Sequence, residues 1–181
     1  MAHVEGYQGG RLVPFFALCL FAGIRPCLKS GEIFRLKPEH IRLDDGFIAI
    51  DGTVSKVGEP RKVIIQPNLA AWLRAYPLKQ FPIVFPNLQR YRAMIAKKFA
   101  FSHDIMRHTF LSMFISKFRS IGEAALQAGN SEGIIRKHYL DLKDASEAER
   151  FFGIFPQSQA AGAVLDMPIL SKSIPRLPVA V

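Results

Sequence analysis

Between Ile41 and Gln66 the chain changes texture, and that change limits what it can fold into. Phe47-Ile48-Ala49-Ile50, Thr53 to Val57 and Lys62 to Ile65 are short and rich in β-branched residues, with turn chemistry between them in Asp51-Gly52 and Gly58-Glu59-Pro60. They predict three small antiparallel strands. On either side the pattern is helical. Arg11 to Ile24 is almost continuously apolar and reads as a buried helix stopped by Gly23, and Gly31 to Lys37 reads as a short helix ended by Pro38. After the strands, helical patterns run over Asn68 to Ala75, Leu88 to Phe99, His103 to Phe118, Ile121 to Ala128, Glu132 to Leu142 and Ala145 to Phe152. A small three-stranded antiparallel sheet among many helices is an α+β fold, mainly helical.

The 181 residues suit one domain, and 49% hydrophobic residues, 15 of them phenylalanine, can fill its core. The reading places that domain at residues 1–153. Residues 154–181 hold Pro156, Pro168, Pro175 and Pro178 among scattered Ser and Ala, and read as a tail that does not fold alone. The longest apolar stretch, Leu12 to Ile24, is 13 residues and contains Pro14 and Gly23, too short and interrupted to span a bilayer. No membrane partner is expected. No basic-then-apolar leader opens the chain, and the two cysteines, Cys19 and Cys27, cannot make a disulfide framework or a four-ligand zinc site. A cytoplasmic setting is expected.

Charge is concentrated rather than spread. Gly52 to Gly122 carries twelve basic residues against two acidic ones, whereas the rest of the chain holds twelve and thirteen. A positive surface of this kind suits a polyanion such as double-stranded DNA, with Arg90, Arg92, Lys97 and Lys98 on one helical segment as phosphate contacts. A solvated basic face that binds nothing has the same composition.

Two residues stand out within this frame. Arg107 precedes Phe110, Leu111, Phe114 and Phe118 by three, four, seven and eleven positions, which puts it on the apolar face of its helix. An arginine facing a core needs an anionic partner, and a buried ion pair or a bound phosphate would each supply one. Farther on, Gly129-Asn130-Ser131 reads as a helix stop followed by an N-cap, opening a helix whose later part reads Ile134-Ile135-Arg136-Lys137-His138-Tyr139-Leu140. A tyrosine beside positive charge can attack phosphorus as a phenolate, or simply pack through its ring.

Taken in order, Phe21-Ala22-Gly23-Ile24-Arg25-Pro26 with Gly31-Glu32-Ile33, Ser55-Lys56, Arg107-His108-Thr109-Phe110, and Gly129-Asn130-Ser131 with Tyr139 resemble the motif set of the tyrosine recombinases, the phage-integrase family. The likeness covers about Leu12 to Phe152. It implies the catalytic domain of that family, with double-stranded DNA as partner and no metal or cofactor. By resemblance, Tyr139 attacks the scissile phosphate to give a 3′-phosphotyrosyl bond and a 5′-hydroxyl. Arg25 and Arg107 clamp the non-bridging oxygens, and Lys56 acts as general acid toward the leaving oxygen. Charge gathering on the equatorial oxygens of a phosphorane suits two forked guanidiniums.

The sequence departs from the family pattern in three places. Asp104 stands three residues before the second arginine, where a histidine is usual, with His103 one step earlier; both can reach Arg107's face, and both can cap the helix. Asn130 stands where His or Trp commonly donates to the phosphate. The first arginine and its supporting acid are separated by Cys27 to Gly31, leaving Glu32 in the orienting role, and His108 is assigned a supporting one. The family's DNA-gripping domain is not expected ahead of the catalytic set, since Arg11 stands ten positions after Met1. The apolar cluster Phe151, Phe152, Ile154 and Phe155 is expected to dock into its own domain or onto a second copy, which allows a homo-oligomer on DNA. A non-catalytic DNA-binding remnant and a tyrosine-dependent topoisomerase fit the same residues.

Overall fold

The computed structural model describes residues 1–27, 31–55, 59–102, 104–138 and 144–157. Helix α1 (Ala2–Gly6) leads through a 3-10 turn into α2 (Val13–Phe21), and a single-turn α3 (Glu32–Arg35) precedes the sheet. The sheet is β1 (Ile41–Arg42), β2 (Phe47–Ile50) and β3 (Arg61–Ile64), antiparallel in that spatial order. Then come α4 (Pro67–Ala75), α5 (Leu88–Lys98), α6 (Ile105–Phe118), α7 (Ile121–Ala128), α8 (Glu132–His138) and α9 (Ala145–Phe152).

Three sequence expectations are corrected here. The described sheet has three strands, but none comes from Thr53 to Ser55, the described part of the strand expected over Thr53 to Val57. Asp51 Oδ1 accepts from the backbone N–H groups of Thr53 and Val54 at 2.8 and 3.0 Å and from the Thr53 hydroxyl at 2.6 Å, and an Asx turn of this kind competes with extended pairing. The missing strand is Ile41–Arg42, which pairs Ile41 with Ile48 and Arg42 with Phe47. The helix expected from Arg11 to Ile24 is shorter at both ends, and the one expected over Gly31 to Lys37 is a single turn, because Leu36 and Lys37 are extended ahead of Pro38.

Phe15, Leu18 and Phe21 of α2 are fully buried, each contributing about 1.5–3 kcal/mol by leaving water. With no polar face, α2 exists only inside its packing, against α4 on one side and α6 on the other. Its end is set by Gly23 at φ +63°, where an added Cβ would lie 2.5 Å from a Phe110 ring carbon, so only glycine turns the chain toward Arg25.

Across the sheet, Ile48 pairs with Val63, and both are buried with Ile50 on the inner face. Strand β3 is an edge. Its Ile64 N–H is taken by the side-chain oxygen of buried Gln127 at 2.7 Å, so α7 covers an edge that would otherwise offer unpaired donors.

At the far end, Phe151 and Phe152 of α9 pack against Phe21 and Phe118, which places this part of the apolar cluster in its own domain, while Phe155 is exposed. The Trp72 indole donates to the Ile154 carbonyl at 2.8 Å. Glu5 accepts from both the Tyr76 hydroxyl and the Gln157 N–H at 3.1 Å, so the first and last described segments meet. Among the described residues no helix is long and apolar enough to cross a membrane.

Candidate functional site

Four of the residues singled out from sequence converge where α2, α3, α6 and α7 end or begin. Arg107, in the first turn of α6, is 2% exposed. One terminal nitrogen donates to the Gly23 carbonyl at 2.6 Å and the other to the Ala128 carbonyl. These carbonyls lie two residues before Arg25 and two before Asn130, so the fork of Arg107 ties together the two turns that present those side chains. Arg25 completes the ring by donating to Asn130 Oδ1 at 2.9 Å. Because arginine only donates, the oxygen of the amide must face it, which turns the NH2 of Asn130 to the other side as the end that can donate.

Behind this ring lies Glu32, with a side chain that is 0% exposed. Arg25 Nη1 reaches its Oε1 at 3.2 Å. The separation of Cys27 to Gly31 does not keep the two apart, because the Gly31 N–H donates to the Cys27 carbonyl at 3.0 Å and closes the turn. Gly31 is essential to that closure, since an added Cβ would lie 2.3 Å from the same carbonyl oxygen.

Glu32's principal partner is one that no sequence motif marks. Arg61 forks both carboxylate oxygens at 3.0 Å each, and its Nε donates to the Gln127 carbonyl at 3.1 Å. The strand period could have found it: Arg61 is two residues before buried Val63 and therefore shares its inward face, whereas Lys62 and Ile64 point out. Burial pushes the Glu32 carboxyl's pKa upward. The hydrogen bonds from Arg61 and the charges of Arg61, Arg25 and Arg107 together outweigh it, and the group sits below its ordinary value. Three guanidiniums around one carboxylate leave the cluster with two positive charges, a local field suited to an anion.

Helix α3 also reaches the connection between β2 and β3. Arg35 Nη1 donates to the Thr53 and Ser55 carbonyls at 3.4 and 3.2 Å, while Glu32, on the same turn of helix, holds Arg61. Both flanks of the stretch containing Lys56 are thus fastened to α3. Lys56 itself, His103 and Tyr139 lie outside the described residues.

Asp104 is half-buried in a left-handed conformation at φ +57°, ahead of α6, which begins at Ile105 rather than His103. Its side chain makes no capping hydrogen bond, one of the two roles the sequence left open; its carbonyl accepts from the N–H of half-buried His108 at 3.0 Å. Asp104 lines a cavity of about 260 Å³ with Arg92, Pro26 and Phe101, beside the Arg25 turn. Arg90, Lys97 and Lys98 are exposed on α5. Among the described residues no three His, Cys, Asp or Glu side chains are grouped to hold a metal ion. No family model, curated protein or solved structure matches the chain.

Proposed function

We propose that this protein cleaves and rejoins DNA strands through a 3′-phosphotyrosyl intermediate on Tyr139, in the manner of the tyrosine recombinases, for integration or site-specific recombination. The observation that carries the reading is the Arg25–Asn130 contact, which joins side chains 105 residues apart in a ring closed by Arg107. Two of the four motifs of the resemblance supply these side chains, and a third supplies the tie between their turns. A purely structural arginine cluster has no reason to draw its members from those motifs in particular.

Arg25, with its side chain 19% exposed, presents charge at the surface of the ring, and Asn130 offers a neutral donor beside it. Arg107 contributes its field from behind and holds the geometry, a role that preorganises the site before a phosphate arrives. Lys56 then serves as general acid, and the basic residues of α5 hold flanking phosphates. Nothing in this scheme calls on a metal or cofactor.

The test is a nicked suicide duplex carrying the cleavage site, with the products run on a denaturing gel. A covalent protein–DNA adduct that disappears in Tyr139→Phe supports the reading. Retardation of DNA without any adduct would replace it with a DNA-binding remnant, and relaxation of supercoiled plasmid by single copies would favour a topoisomerase.

A further inference from the structure

We propose that Arg61 is a positioning residue: by occupying both oxygens of Glu32 it prevents that buried carboxylate from drawing Arg25 inward, and so keeps the charge of Arg25 turned toward an incoming phosphate. The geometry stands by itself; the identity of the anion as a DNA phosphate rests on the function proposed above.

Arg61 and Arg25 compete for a single carboxylate, and they hold it unequally. Arg61 has the parallel two-bond fork, 3.0 Å on each oxygen. Arg25 has what remains, one side-chain contact at 3.2 Å and its backbone N–H at 3.5 Å. The fork is the stronger arrangement, and a buried carboxylate with one cation available takes it. With Arg61 absent, Arg25 is the nearest guanidinium able to supply that fork, and supplying it means leaving Asn130.

Arg61 is itself fixed against the same kind of movement. Its side chain is 9% exposed, its Nε is held by the Gln127 carbonyl, and its fork lies against Gly129, where an added Cβ would come within 3.1 Å of Nη1. The residue next after that glycine is Asn130. One side chain therefore fixes the acid behind Arg25 and packs on the turn that carries Arg25's other partner.

The experiment compares the full chain with Arg61→Met, Glu32→Gln and the double variant. Reaction of Arg25 with phenylglyoxal is mapped by peptide mass, with exposed Arg90 and buried Arg107 as references. In Arg61→Met, labelling of Arg25 should fall toward that of Arg107, and adduct formation on the nicked duplex should fall about a hundredfold, the loss typical of displacing a reacting group by about an ångström. The double variant should recover both, because the neutral amide introduced by Glu32→Gln has no charge with which to capture Arg25. A merely structural Arg61 gives the opposite result, a double variant no better than the single.

Should Arg61→Met fail to fold, Arg61→Lys takes its place: an ammonium covers one oxygen, and Arg25 labelling should settle between wild type and Arg107. Unchanged labelling of Arg25 in either variant, or no rescue by Glu32→Gln, overturns the proposal. If Arg25 labels as described but the wild type forms no adduct, the positioning role stands and the strand-cleavage reading falls.

Discussion

Arg25 donates to the side-chain oxygen of Asn130 at 2.9 Å across 105 residues of sequence, and that contact connects the turn after α2 to the turn after α7. Both turns pass through a glycine in the left-handed region, Gly23 and Gly129, and both offer a carbonyl to Arg107. The pairing is a charged donor on a neutral acceptor, so Asn130 takes away none of the positive charge of Arg25, whose one carboxylate, Glu32, is shared with Arg61.

Substitution at Asn130 should therefore separate stability from function. Asn130→Ala removes one hydrogen bond and should cost about 1 kcal/mol, a fall of roughly 2–4 °C in Tm for a chain of this size. Asn130→Asp turns the contact into an ion pair and should hold or raise Tm while weakening DNA binding, because it cancels the charge on Arg25. Thermal unfolding and gel retardation measured on both variants check the prediction, and parallel losses in the two assays would contradict it.

Glu32 makes the fold sensitive to acid. Its folded-state pKa is below the ordinary value of 4.5, so the stability it contributes is fully present above that value and is lost as pH falls through the folded pKa. Glu32→Gln should flatten the decline in stability below about pH 4.5, and at neutral pH it should cost on the order of 3–5 kcal/mol, because guanidiniums buried around a carboxylate lose their counter-charge. Denaturant unfolding at a series of pH values measures both effects. An equal acid slope in wild type and variant would show that other carboxylates dominate.

Two of the left-handed glycines, Gly23 and Gly46, allow backbone strain to be told from packing. Alanine at either position pays the left-handed conformation, about 1–2 kcal/mol. At Gly46 (φ +77°) nothing lies within 4 Å of the added methyl, whereas at Gly23 it meets Phe110 at 2.5 Å. Gly23→Ala should accordingly be the more destabilising, and it should also reduce adduct formation by moving the carbonyl that Arg107 holds. Equal losses of stability at the two sites would mean that Phe110 yields freely.

How far these features can be read from sequence depends on whether the signal is local. Ile121–Ala128 and Ala145–Phe152 match their expected helices to the residue, because each begins at a side chain that caps it, Ser120 and Asp144. Ile41–Arg42 gives no such signal, since two residues show no alternation, and its strand character comes from pairing with β2. Arg107 is legible as an inward-facing cation through the period of its helix, but the backbone carbonyls of Gly23 and Ala128 that it ties together are not, since carbonyls carry no residue-type signal. Arg61 looks like one basic residue among many. Its importance is set by Glu32, 29 positions away, and only the folded chain brings the two together.

The basic surface makes the last prediction, and it concerns affinity rather than the ring. Helix α5 contains no acidic residue, and its Arg90, Lys97 and Lys98 are exposed. Each lysine or arginine that replaces condensed counterions on a phosphate steepens the fall of log K with log salt by about one. The three are not equivalent, however. Lys98 lies 3.4 Å from His3 and above the Phe99 ring, contacts that restrain it toward α1. Lys97 and Arg90 should thus each account for more of the salt slope than Lys98, and their loss should weaken binding to all DNA sequences alike, since phosphate contacts carry no base information. Fluorescence titration of each alanine variant across a salt series measures the slopes. A slope unchanged by Lys97→Ala, or a change in sequence preference from any of the three, would move the DNA track off α5.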